Sequence, residues 1–163
     1  MERRGRAHVL PDDIDTDQII PAEYLNDIPE EDYGDHVLEG YDSNFPTSIE
    51  PGDILVAGEN FGLGSSREGA PIAIRNAGIG AVIAESFARI FYRNCFNVGL
   101  PIVTVVGITD RIDEGDVVRI DIGNGRVENE TSGETFSIEA IPPDLLEILE
   151  AGGLVAYRQQ QRG

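Results

Sequence analysis

Three short apolar runs constrain this chain most: Ile54-Leu55-Val56-Ala57, Ala81-Val82-Ile83-Ala84 and Pro101-Ile102-Val103-Thr104-Val105-Val106. None carries a charge, so each suits a strand buried on both faces. Between the first two, a helical pattern begins at Arg67, with Ala70, Ile72, Ala73, Ile74 and Ala77 as its apolar positions. It closes at Gly78, a residue suited to a helix C-terminus. Residues 87–97 read as a second helix, ending near Gly99. The order strand–helix–strand–helix–strand predicts a parallel βαβαβ core with right-handed crossovers, and hence an α/β class.

Outside this core the pattern changes. Residues 5–10 read as a short strand leading into an acidic turn, Pro11 to Asp17. From about 26 to 50 no period is clear, and Pro29, Gly34, Gly40 and Pro46 interrupt the chain. Short helical turns and a mobile loop are expected there. After Gly107, the segments 117–122, 125–127 and 135–138 alternate polar and apolar residues, which predicts an antiparallel meander. A final amphipathic helix is expected from about Pro142 to Glu150, stopped by Gly152-Gly153. A length of 163 residues suits one domain, 1–163, with a real core.

Thirty acidic residues face twelve basic ones, all arginine, for a net charge of −18. Such a chain repels nucleic-acid phosphates and anionic lipid. The excess reads either as a docking surface for a basic partner or as adaptation to high salt, a halophilic trait. The spread of acids along the chain favours the second. No run of 18 apolar residues spans a membrane, and no apolar signal core follows the basic Met1–Arg6, so a cytoplasmic location is expected. The single cysteine, Cys95, can neither pair internally nor hold a zinc or iron–sulfur site alone, and its apolar setting predicts a buried thiol. His8 and His36 lack ligand spacing, so this chain is expected to hold no metal.

The densest chemical signal is the segment from Gly58 to Glu68, Gly-Glu-Asn-Phe-Gly-Leu-Gly-Ser-Ser-Arg-Glu. It lies between a predicted strand and a predicted helix, where α/β sheets bind ligands. Gly62 and Gly64 let backbone N–H groups approach an anion, and the helix N-terminus favours negative charge. Ser65 and Ser66 add hydroxyls, and Arg67 can grip a carboxylate with two parallel bonds. A serine here could also act as a base if deprotonated. The same residues read equally as helix capping, with Ser65 or Ser66 partnered by Glu68. The loop is neither a Walker A loop nor a nucleophile elbow. The acidic turn begins like a calcium loop but lacks that motif's glycine and final glutamate, so it is left as a solvated turn or the wall of a site.

Asp13-Ile14-Asp15-Thr16-Asp17-Gln18-Ile19-Ile20-Pro21, then Gly62-Leu63-Gly64-Ser65-Ser66-Arg67-Glu68, then Ser86 to Asn94 together resemble one family. These motifs are similar in order and spacing to the small subunits of 3-isopropylmalate dehydratase and homoaconitase, and to the swivelling C-terminal domain of aconitase. The likeness continues through Asn97-Val98-Gly99-Leu100-Pro101 and Gly152-Gly153-Leu154-Val155, covering nearly the whole chain. It implies a single swivelling domain with β/β/α layers, active as a lyase only with a large subunit, in a heterodimer or heterotetramer. The implied reaction isomerises 2-isopropylmalate to 3-isopropylmalate by dehydration and rehydration, in leucine biosynthesis. The resemblance places a [4Fe–4S] cluster on the large subunit, where one iron is the Lewis acid. It makes Ser65 the base, Ser66 and Arg67 carboxylate binders, and Asp17, Gly62 and Gly64 supporting residues, while Arg89 and Arg93 would tie helix to loop.

Three positions depart from the family. Gly69 stands where relatives carry His or Gln, and Glu23 interrupts the usual Pro-Ala-Arg-Tyr-Leu. Asn26 stands where homoaconitase-like members have Arg. A neutral amide cannot offset the desolvation of a third carboxylate, so Asn26 is expected to face an alkylmalate substrate. Homoaconitate and dimethylmalate-type substrates are the alternatives, and a non-catalytic anion-binding module is the alternative of another class.

Overall fold

The predicted apolar runs become the inner strands of one sheet. In the computed structural model, which describes residues 1–65 and 68–162, Ile54–Ala57 (β2) and Ala81–Ala84 (β3) are buried at every position. They join Glu2–Val9 (β1), Ile102–Thr104 (β4), Val117–Asp121 (β5), Arg126–Asn129 (β6) and Thr135–Ser137 (β7) in the order β4-β3-β2-β1-β5-β6-β7. Strands β1 to β4 are parallel, and β5 to β7 form the antiparallel meander.

Strand β1 belongs to both halves. Its Ala7–Val9 pairs with β2, whereas Glu2–Arg6 pairs with β5. The strand thus starts three residues before the predicted one, since Arg3, Arg4 and Arg6 disguise an exposed antiparallel half. Cross-strand ion pairs, Arg4–Glu130 and Arg119–Glu2, decorate that half; exposed pairs of this kind contribute little. Where the halves meet, buried His8 donates from Nε2 to buried Asp53 Oδ2 at 2.7 Å, so neither polar group is stranded.

The crossovers are helices Gly69–Asn76 (α4) and Arg89–Asn97 (α5), preceded in the chain by short helices Thr16–Ile19 (α1), Ala22–Asp27 (α2) and Phe45–Ser48 (α3). Right-handed crossovers stepping one way along the sheet put α4 and α5 on the same face, where they touch each other. The other face of β2 and β3 is covered by a 3-10 turn at Ile108–Asp110, with Ile108 buried. Helix α5 turns Phe91, Cys95 and Phe96 inward; Cys95 is fully buried, and burial pushes its thiol well above the usual range.

Between 26 and 50 the short helical turns are present, including a 3-10 segment Glu30–His36, with Tyr33, Val37, Leu38 and Phe45 inserted into the core. At the C-terminus, Pro143–Ala151 (α6) ends on Gly152 at φ +96°. The chain does not stop there as a final helix would. Gly152-Gly153 turns it into Leu154–Arg162 (α7), a helix with no buried residue that packs on α5 and α6. A Cβ on Gly99 would lie 2.4 Å from Gly152 O, so the two glycine turns cross at a spacing that admits no side chain.

The consequence for function is one shared edge. The carboxyl ends of β1, β2 and β3, neighbours in the sheet, open respectively into the acidic turn, the glycine-serine loop and residues 85–88.

Candidate active site

The chain leaving β2 threads between the two neighbouring turns as an extra strand. Gly62 N donates to Ile14 O at 2.8 Å and Thr16 N to Leu63 O at 2.9 Å on one side. On the other, Phe61 N donates to Ser86 O at 3.1 Å and Ala88 N to Phe61 O at 3.0 Å. Three carboxylates of the acidic turn are spent on this frame. Asp12 Oδ1 accepts from Glu59 N at 2.7 Å, and Asp13 Oδ1 from Asn60 Nδ2 at 3.0 Å. Asp15 caps α1, accepting from Gln18 N at 2.8 Å while Gln18 Oε1 accepts from Asp15 N at 3.0 Å. Asp17, in the first turn of α1, is exposed and makes no hydrogen bond or ion pair among the described residues.

The turn's remaining polar side chain, Thr16, is buried, and its Oγ1 lies 3.4 Å from Ser65 Oγ. The residues alone did not single out Thr16. Its signal is a lone hydroxyl set between two aspartates in the Asp-Thr-Asp motif. Gly64, at φ +109°, brings the loop against this threonine: a Cβ there would stand 3.2 Å from Oγ1. At Gly62, φ +86°, a Cβ would fall 2.1 Å from Phe91 Cγ, so the ring lies flat on bare backbone. Phe91 makes the floor, and behind it Phe61 stands edge-on to Phe87 and Phe91 at centroid distances of 6.0 and 5.4 Å.

Above this floor is a cavity of about 260 Å³, into which Thr16, Gly64 and Ser65 project from one side and Ala88, Arg89, Ile90 and Asn94 from the other. That volume suits a small acid. Helix α5 starts at the cavity with Ala88 as its N-cap, no capping side chain and no acid in its first turn. Its first N–H groups and dipole therefore favour an anion at the mouth.

Helix α4 opens at Gly69 with Glu68 as N-cap and no capping side chain, while Ser65 turns its hydroxyl to Thr16. The capping role that the sequence allowed for Ser65 is thus not the one it takes. Ser66 and Arg67 lie outside the described residues. Asn26 is exposed on α2 and, like Asp17, does not line the cavity. Its neighbour Leu25 explains Gly69: a Cβ there would meet Leu25 Cδ2 at 2.3 Å, so leucine fills the space of the missing side chain. Among the described residues no three His, Cys, Asp or Glu side chains gather as a metal site, and the only thiol is sealed in the core.

The chain is similar to known proteins over nearly its whole length. Residues 11–106 match the family model described as the aconitase C-terminal domain. A protein of Thermodesulfovibrio yellowstonii named 3-isopropylmalate dehydratase small subunit is 50% identical over 99% of this chain and 96% of its own length. One from Methanocaldococcus jannaschii named isopropylmalate/citramalate isomerase small subunit is 46% identical over 97% and 94%. A crystal structure of 3-isopropylmalate dehydratase from Methanocaldococcus jannaschii superimposes with a TM-score of 0.94 at 48% identity, covering 99% of this chain and 96% of that one.

Proposed function

The chain belongs to the family of aconitase C-terminal domains and 3-isopropylmalate dehydratase small subunits, and from that premise we propose that it is the small subunit of a hydro-lyase that isomerises 2-isopropylmalate to 3-isopropylmalate. The observation that carries this reading is the meeting of Ser65, Thr16 and the uncapped start of α5 at one small cavity. An iron–sulfur cluster on the large subunit supplies Lewis-acid chemistry toward the substrate hydroxyl.

The residues of this chain supply the other half. Ser65 Oγ, as the alkoxide, takes the proton from the carbon next to the hydroxyl-bearing one as the double bond forms and the hydroxyl leaves with its bonding pair, as hydroxide. It returns that proton to the other carbon when hydroxide adds back, so the hydroxyl and hydrogen exchange places and the alkoxide is regenerated. A serine hydroxyl is a poor base in water, and Ser65 is exposed in the lone chain. Its alkoxide becomes accessible when the large subunit excludes solvent, the Thr16 hydroxyl and the α5 N-terminus face the developing charge, and the positive charge of Arg67 favours the anion. Ser66 and Arg67 hold a substrate carboxylate. Asp17 and Asn26, both outside the cavity of the lone chain, take part only in the assembled complex, where Asn26, a neutral amide, disfavours a third carboxylate.

The test is turnover by the complex reconstituted with its large subunit. Ser65→Ala should abolish isomerisation while leaving substrate binding; full turnover would leave only an anion-binding module. The name of the Methanocaldococcus jannaschii relative favours citramalate as a second substrate, so 2-isopropylmalate, citramalate and homoaconitate should be compared, with homoaconitate the poorest. We place the enzyme in leucine biosynthesis in the cytoplasm, and read its charge of −18 as an adaptation to high salt.

A further inference from the structure

The acids are spread along the chain with one gap. From Gly69 to Thr109 there is a single carboxylate, Glu85, where the chain average would place about seven. Even Glu85 is engaged, accepting from Gly107 N at 3.2 Å and from the Thr109 hydroxyl. Much of this stretch is interior, but it surfaces at the end of α4 and along α5, where Arg89, Ile90 and Arg93 are exposed. Among the described residues neither arginine forms an ion pair, so both charges are available to a partner. Ile90 is 56% exposed and Val106 78% exposed, on a molecule with few large apolar side chains in water. Val106 lies two residues beyond Thr104, which shares a groove with Arg89, Tyr92 and, on the far rim, exposed Glu139. Arg89 and Ile90 also line the cavity of Ser65, so whatever closes that cavity must press on this face.

We propose that the outer face of α5, Arg89, Ile90 and Arg93, with Val106 at the adjoining sheet edge, is the docking surface for the large subunit, and that it receives an apolar patch bordered by carboxylates. This rests on the two-subunit reading above. Apart from Glu139 at its rim and the engaged Glu85, this face lacks the like-charge repulsion that the rest of the molecule presents, and the two guanidinium groups supply the attraction. The apolar pair supplies a dry centre, and the same contact excludes water from Ser65.

Arg93→Glu and Val106→Asp, both outside the cavity, test the proposal by titration against purified large subunit. Each should weaken association about tenfold or more, Arg93→Glu mainly through the on-rate and its salt dependence. Turnover at saturating large subunit should return to the unsubstituted level, because neither side chain reaches the substrate. Val155→Asp on α7, also exposed, should bind normally. Unchanged affinity in both α5-face variants, or equal loss in Val155→Asp, overturns the docking surface while leaving the enzymatic reading intact. Failure of the unsubstituted chain to bind the large subunit overturns both.

Discussion

At the scale of single residues, Ser65 and Thr16 divide one task. Ser65, the proposed base, is exposed, whereas Thr16 is buried beside it at the same cavity, and its proposed role is to act on the Ser65 hydroxyl. Thr16→Val keeps the shape and removes the hydroxyl, so kcat should fall about 10- to 100-fold with little change in KM, the value of one hydrogen bond to a charged group. Thr16→Ser should restore most of it; steady-state kinetics of the reconstituted complex separates the cases. Gly62→Ala is a different lesion. It asks a side chain to share space with Phe91 at a positive φ, and should cost more than about 2 kcal/mol, read from urea unfolding of the small subunit alone. Sequence reasoning singled out Ser65 and both glycines through their motif, and all three line the cavity. It passed over Thr16, because a threonine beside aspartates has no chemical signature until a neighbouring strand brings a second hydroxyl to it.

At the scale of elements, the acidic turn proves to be scaffolding. Asp15→Ala removes a capping box from α1, the helix that carries Thr16, and should destabilise the chain by about 1 kcal/mol in denaturant unfolding. A second tie joins α2 to the segment after it: Glu39 accepts from His36 Nδ1 at 2.6 Å and from the Tyr24 hydroxyl at 2.8 Å. The His36 bond first, and the Tyr24 bond after it, hold the Glu39 carboxyl below its usual 4.5. A depressed carboxyl favours the fold above its unfolded value, and that contribution fades as pH falls through the folded one. Glu39 should therefore titrate below 4.5 by NMR; a midpoint at or above that value would mean the tie is not formed. The strands and crossover helices were legible because burial on both faces writes continuous apolar runs. Helix α7 was not, since its apolar residues are confined to the first turn and none is buried, and it owes its position to the Gly152-Gly153 turn and to packing on α5 and α6.

At the scale of the whole molecule, a charge of −18 sets self-repulsion against a single core. If the excess is an adaptation to salt, the unfolding midpoint should rise steadily from dilute buffer to molar salt. A flat thermal-denaturation series would remove that reading. The amino-acid sequence by itself determined the α/β class, the parallel core, the meander and the loop that carries Ser65. Those features follow from local periodicity, turn residues and motifs read along one stretch of chain. Only the tertiary structure decided which residues meet: that β1 serves both halves of the sheet, that Thr16 stands behind Ser65, and that α5 opens uncapped on their cavity. The physical reason is strand order. Residues about fifty apart along the chain become neighbours only because β1 and β2 lie side by side, and pairing between strands depends on the fold of the whole rather than on any segment of it.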